Sequence, residues 1–183
     1  MDQLFAPWRI EWVARDKSAD DIDGCPFCVL PDRDADRESR IVARSDHAFV
    51  ILNNYPYTPG HVMVVPYRHD GDYGALDGAE LLDHARLKQR TFAAMREAFD
   101  PDGFNAGLNL GGPAAGGSID EHLHTHIVPR WSGDTNFMPV VSDTTVIVEA
   151  VDETYERLRE AVAALPGATT ADEDRAVTFS FGE

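Results

Sequence analysis

Two short apolar runs, Ala48-Phe-Val-Ile-Leu52 and Val62-Met-Val-Val65, are rich in β-branched residues and bounded by turn formers. Between them lies Asn53-Asn-Tyr-Pro-Tyr-Thr-Pro-Gly60, whose prolines and glycine forbid regular structure, so the pattern predicts a hairpin with a wide loop. A helical stripe follows over residues 75–99, with Leu81, Ala85, Phe92, Met95 and Phe99 recurring at spacings of three, four and seven. Asp77 is placed to cap its start, and Asp100-Pro101 to stop it. Phe104 to Leu110 reads as another strand. From His122 to Val128 the chain alternates His122, His124, His126 and Val128 on one face with Leu123, Thr125 and Ile127 on the other. Residues 152–164 form a second amphipathic helix on Tyr155, Leu158 and Val162.

The remaining segments are less patterned. Residues 1–20 are a polar lead-in carrying Phe5, Trp8 and Trp12; residues 31–40 contain no core-forming residue and read as an exposed loop. Residues 166–174 are linker-like, and 177–181 suit a short terminal strand. Several strands around one long helix predict an α+β domain with an antiparallel sheet. The regular strand–helix alternation of a doubly wound fold is missing.

Composition narrows the class. At 183 residues, 43% hydrophobic and with three Trp, the chain suits one domain over 1–183 with a core near 20–135 and a C-terminal helical extension. Two cysteines cannot frame a disulfide scaffold. No run approaches about 18 apolar residues, so no membrane span is expected. The N-terminus lacks a signal peptide's basic flank and apolar run, so a cytoplasmic location is expected. The formal charge is −16, from 21 Asp and 11 Glu against 14 Arg and two Lys, Lys17 and Lys88. That balance argues against bulk nucleic-acid binding. Dispersed acids with few lysines look like a surface adapted to high salt, where self-repulsion is screened.

The sharpest chemical signal is Glu121-His-Leu-His-Thr-His-Ile-Val-Pro-Arg130. Strand spacing puts the three imidazoles on one face about 7 Å apart. An exposed strand binding stray metal, or a three-His metal site, would use the same residues. Neither explains the Gly-rich run 111–118 just upstream, whose backbone N–H groups can approach an anion. Imidazoles beside such a loop suggest attack by His on phosphorus. The pair in Cys25-Pro-Phe-Cys28 is compatible with a redox couple, half a zinc site, or two small packing residues.

The segment His122-Leu-His-Thr-His-Ile-Val128 resembles the motif of the histidine triad family, His-φ-His-φ-His-φ-φ, with Thr125 in one apolar position. Residues 53–66, Gly107-Leu-Asn-Leu-Gly-Gly112 and Asp134-Thr-Asn-Phe-Met-Pro139 look like the branch containing diadenosine tetraphosphate phosphorylases and hydrolases, and the likeness spans residues 5–150. It implies a fold of about five antiparallel strands with one long helix and a C-terminal helix, working as a homodimer. By the same resemblance His124 is the nucleophile, forming a nucleotidyl–histidine intermediate. His126 bonds the phosphate or leaving-group oxygen, and His61 supports the nucleophile from the neighbouring strand. Ser118 with the Gly116 and Gly117 amides binds phosphates. Asn53, eight residues before His61, meets the ribose, and Asn109 and Trp131 look like nucleotide contacts. Zinc-containing members supply two further ligands at the positions of His69 and His122, which makes Cys25, Cys28, His69 and His122 a structural Zn²⁺ site.

The implied activity is cleavage of a dinucleoside polyphosphate at the α-phosphorus, with water or phosphate completing turnover. Arg130 and a Mg²⁺ carried by the nucleotide are candidates to supply positive potential. Alternatives are a nucleoside phosphoramidase, a hexose-1-phosphate type nucleotidyltransferase, and a nucleotide-binding regulatory module. His126 stands where the transferase branch has Gln, and the intact triad weakens the regulatory reading. His47 and His84 read as ordinary surface or helix histidines. Tyr55 and Tyr57 suit either a base pocket or packing.

Overall fold

The computed structural model describes residues 22–115, 119, 121–134 and 151–182. A short helix α1 (Pro26–Asp32) is followed by β1 (Ile41–Arg44), β2 (Ala48–Leu52) and β3 (Val62–Pro66), then the long helix α2 (Gly78–Phe99). After it come β4 (Gly103–Gly107), β5 (Thr125–Arg130), helix α3 (Val151–Ala163) and β6 (Val177–Thr178). The strands form one sheet in the order β4-β5-β3-β2-β1-β6. All neighbours are antiparallel except β6, which joins β1 in parallel. The sheet therefore holds the five strands read from the sequence, the terminal one included, and a sixth, β1, that the apolar pattern does not mark.

Strand β2 is buried along its whole length because both faces are covered. Val50 and Leu52 join the main core with Val62, Val64, Leu87, Met95, Ile127 and Leu158, while Phe49 and Ile51 pack with Phe27 and Val65 behind the sheet. The β2–β3 hairpin pairs Leu52 with Val62. Gly60, at φ +83, closes its loop: a Cβ there would lie 2.8 Å from the Phe99 ring and 3.2 Å from Pro129. Only glycine allows the loop to sit down on the end of α2 and on β5.

Helix α2 starts as expected. The Asp77 carboxylate accepts from the Ala79 and Glu80 amides, and Glu80 returns a bond from the Asp77 amide, completing a capping box. It ends at Asp100, whose φ of 46 is left-handed and whose N–H reaches the Arg96 carbonyl. Its inward face differs from the predicted stripe. Ala85 is exposed, and the buried line runs through Asp83, His84, Leu87, Thr91, Ala94, Met95 and Phe99. Polar residues on that line hid it from a reading that counted apolar ones. Helix α3 buries Tyr155, Leu158 and Val162 as expected.

Residues 31–40 need a larger correction. Pro31 and Asp32 end α1, and Asp36 is 2% exposed. Its carboxylate takes Arg44 Nε at 3.0 Å through one oxygen and the Ala176 amide at 2.9 Å through the other, with Arg175 at 3.6 Å. An acid in a stretch without core-forming residues thus ties β1 to the segment that leads into β6. Full pairing is what permits its burial.

Candidate active site

Five of the seven histidines, His61, His69, His122, His124 and His126, converge where β3 and β5 meet the α1 turn. His61, fully buried at the foot of β3, follows the loop 53–60. That loop is pinned by Asn53 N–H to the His61 carbonyl, 2.9 Å, and by Thr58 Oγ1 to the Pro129 carbonyl, 2.8 Å. Met63, two residues on, faces His126 directly across the ladder. The His61 and His126 rings touch, Nε2 to Nδ1 at 2.9 Å.

Proton positions follow from the neighbours. The Tyr57 amide donates to His61 Nδ1 at 3.2 Å, so that nitrogen is the acceptor and His61 carries its proton on Nε2. His61 then donates to His126 Nδ1, which leaves the His126 proton on Nε2. His126 is thereby set as an N–H donor. Tyr57 also stacks on His61, at 4.9 Å between centroids and 17° between planes.

His124 has the opposite tautomer. Its Nδ1 lies 2.8 Å from the His122 carbonyl, an obligate acceptor, so Nδ1 carries the proton and Nε2 the lone pair. Burial pushes its pKa below the ordinary imidazole value, with the His122 carbonyl opposing in part. A neutral imidazole with a bare Nε2 is a nucleophile that needs no further base. The rings of His124 and His126 meet edge to face at 4.9 Å. They are closer than ideal strand spacing because β5 begins only at Thr125, and His122 and His124 precede its ladder.

His122 turns instead toward the cysteines. Pro26 opens α1, and the Cys25 carbonyl accepts from the Cys28 and Val29 amides, both at 3.0 Å, a turn that brings the two sulfurs together. One ligand atom from each of Cys25, Cys28, His69 and His122 lies within 4.8 Å of the others. Cys28 Sγ is 3.0 Å from His69 Nδ1, and Cys25 Sγ is 3.4 Å from His122 Nδ1. Tetrahedral zinc with bonds of about 2.0–2.3 Å needs ligand atoms roughly 3.3–3.8 Å apart, so the cluster fits such an ion with small adjustment. His122 Nε2 donates to the Pro66 carbonyl at 2.8 Å, which directs its Nδ1 lone pair into the cluster. Burial, aided by His69 and His124, lowers the His122 pKa and keeps it neutral, as a ligand must be. The four residues could bind a metal ion.

Phe27, between the two cysteines, was not singled out in the sequence. Its ring sits 5.5 Å from that of His122 and 5.1 Å from that of His124. An apolar residue inside a Cys-x-x-Cys turn must face away from the sulfurs, and that was the available signal.

Other candidates are more dispersed. Asn53 is nearly buried, its Oδ1 accepting from the Tyr55 amide at 2.8 Å. Asn109 is exposed beyond β4, and Trp131 packs against the main core. Arg130 is held by Asp134, at 2.5 and 2.9 Å, and by Asn105 at 2.6 Å, so it is committed to local partners rather than to a phosphate. Gly116, Gly117 and Ser118, Asp120, residues 135–150 and the aromatic lead-in lie outside the described residues.

The model of the HIT domain family matches residues 34–133. An AP-4-A phosphorylase of Mycobacterium tuberculosis is 37% identical over 163 residues, covering 86% of this chain and 83% of the relative. A bis(5'-adenosyl)-triphosphatase of Dictyostelium discoideum is 34% identical over 94 residues, covering 51% of this chain and 62% of its own. Among solved structures, a Zn-bound histidine triad family protein from Mycobacterium smegmatis superposes with a TM-score of 0.60 at 29% identity, covering 76% of this chain and 94% of that one. With the triad, the His61 ring in contact with it and the sheet that carries them in place, this chain belongs to the HIT family.

Proposed function

We propose that the protein is an enzyme that cleaves dinucleoside polyphosphates, diadenosine tetraphosphate foremost, through a nucleotidyl–His124 intermediate. The observation that carries this reading is the set of ring contacts, Tyr57 N–H to His61, His61 to His126 and His124 to the His122 carbonyl, which assigns a lone pair to His124 Nε2 beside an N–H on His126. Nε2 of His124 attacks the α-phosphorus, and the P–N bond forms as the bridging P–O bond breaks. The nucleotide departs as a polyphosphate anion, its developing charge met by the hydrogen bond that His126 Nε2–H donates to the bridging oxygen. Water or inorganic phosphate then attacks the same phosphorus; the P–N bond breaks, His124 leaves as the neutral imidazole, and the proton of an attacking water passes to solvent. The names of the relatives support the substrate class.

The zinc assignment for Cys25, Cys28, His69 and His122 belongs to the same reading. Bound there, zinc would be a structural cross-link with all four positions filled by protein, and His124 would do the chemistry. The described unit would act as one HIT domain. No described helix is long and apolar enough to cross a membrane.

The direct test is an assay of diadenosine tetraphosphate with and without phosphate, following ADP and AMP beside ATP. Because the 37% identical relative bears the name phosphorylase, ADP is expected to replace AMP when phosphate is present. No turnover under either condition would refute the proposal. The same assay should be run from low salt to molar salt. A −16 surface opposes a polyanion, and Arg130 is committed elsewhere. Screening shortens from about 10 Å at 0.1 M to about 3 Å at 1 M, so kcat/KM should rise by a few fold, and a steep loss would count against the high-salt reading.

We also propose a homodimer. Strand β4 is one of the two edge strands of the sheet, and Asn105, Ala106 and Gly107 on it are exposed, an edge that a second copy can cover. Light scattering should give twice the chain mass, and the mass of one chain would exclude this.

A further inference from the structure

The triad departs from its pattern at Thr125, a hydroxyl where the family pattern has an apolar residue, between the candidate nucleophile and its donor. Thr125 is 2% exposed and opens β5 directly opposite Val64. It is the last pair of the β3–β5 ladder; upstream, Leu123 N–H bonds to the Asp70 carbonyl instead. A strand end next to a catalytic side chain is where fraying would do most harm.

Facing that pair is His84 of α2, 1% exposed. Its Nε2 lies 3.2 Å from Thr125 Oγ1 and 3.4 Å from the Val64 carbonyl. The carbonyl can only accept, so Nε2 carries a proton that is shared between one atom on each strand. Burial, with Lys88 one turn away, lowers the His84 pKa and keeps the ring neutral. Asp83, its neighbour, does similar work for the β1–β2 turn, taking Ser45 Oγ at 2.5 Å and the His47 amide at 3.2 Å. Helix α2 therefore grips the sheet at two places through consecutive polar side chains.

We propose that His84 is a positioning residue that clips the start of the catalytic strand through Thr125 and so holds His124 and His126 in their working geometry. Its kinetic readout rests on the proposed function; its spectroscopic one does not. The pair needs both members. Removing His84 takes that ring from the buried Thr125 hydroxyl, and removing Thr125 leaves His84 Nε2 only the longer contact to the Val64 carbonyl, whereas replacing both with apolar residues of similar size removes the need for the bond.

The test is the set His84→Leu, Thr125→Val and the double variant, with Thr125→Val the isosteric change should the helix substitution fail to fold. With diadenosine tetraphosphate, His84→Leu should lower kcat about tenfold and Thr125→Val about threefold, with KM within about twofold of wild type. The double variant should regain most of the loss. In long-range ¹H–¹⁵N spectra of the imidazoles, wild-type His124 should show one tautomer, protonated on Nδ1, and both single variants a mixture. Single variants that melt earlier but keep wild-type kcat and a single His124 tautomer would overturn the proposal, leaving His84 a core residue only. A double variant no better than the worse single variant would overturn it too. Should wild type turn over no dinucleoside polyphosphate, the proposed function falls while the ring spectra still decide for or against the clip.

Discussion

His124→Ala should abolish turnover of diadenosine tetraphosphate, by at least about a thousandfold in kcat, while nucleotide affinity changes by less than about threefold. The size follows from the division of labour in the site. His126 is set as a donor by the chain of contacts from the Tyr57 amide through His61, so it has no lone pair facing the phosphorus to offer in place of His124. His122 is turned into the Cys/His cluster, with its Nε2 donated to Pro66. Neither can substitute as nucleophile. Binding should survive because the substrate is held by other donors. Equal turnover by wild type and variant would sink the mechanism. The pH profile adds a sign. The reactive form is neutral imidazole, which is lost as pH falls through the pKa of His124. Burial lowers that pKa, so the acid limb of kcat/KM should lie below the ordinary imidazole value of about 6.5. A limb above it would mean that burial does not control the group.

What the sequence disclosed and what it hid divide along a physical line. Local signals read well: the β2–β3 hairpin came from two β-branched runs around a Pro/Gly loop, and the Asp77 cap and Asp100 stop from residue types with defined backbone roles. The site itself was legible through spacing and resemblance, since Cys25, Cys28, His69 and His122 do converge. Tertiary polar contacts did not read. Asp36 sits in a stretch of ten residues that looks fully solvated, and nothing nearby in sequence announces Arg44 or the Ala176 amide as its partners. His84 reads as an ordinary histidine because hydrophobic periodicity skips polar residues, although positions 84, 87, 91, 94 and 95 form a continuous helical face. The clue lay at Thr125: a hydroxyl in an apolar slot requires a partner from elsewhere in the fold.

Cys28→Ser should reduce bound zinc from about one per chain to little or none and lower the melting temperature by about 10 °C. The magnitude comes from what the ion would cross-link. Its ligands belong to three separate segments: the α1 turn, the stretch after β3 and the approach to β5. Holding sites 41 and 97 residues apart in sequence removes freedom from the unfolded chain. A covalent cross-link of comparable span is worth about 3–4 kcal/mol, and each kcal/mol moves the melting point of a chain this long by about 2–4 °C. The domain keeps its own two-sided core, so the variant should fold, unlike a free-standing zinc finger. Acid should release the ion from wild type as thiolates and imidazoles protonate, the more readily because burial and Cys25 already raise the Cys28 pKa. Activity should fall with the metal, for a structural reason. The His122 carbonyl fixes the His124 tautomer, and the Phe27 ring touches both imidazoles, so loosening His122 loosens the nucleophile. Wild-type protein that is metal-free by elemental analysis, yet fully active and equally stable, would refute the site. Loss of zinc and stability in Cys28→Ser with kcat intact would separate the cluster from the chemistry and confine it to holding the fold.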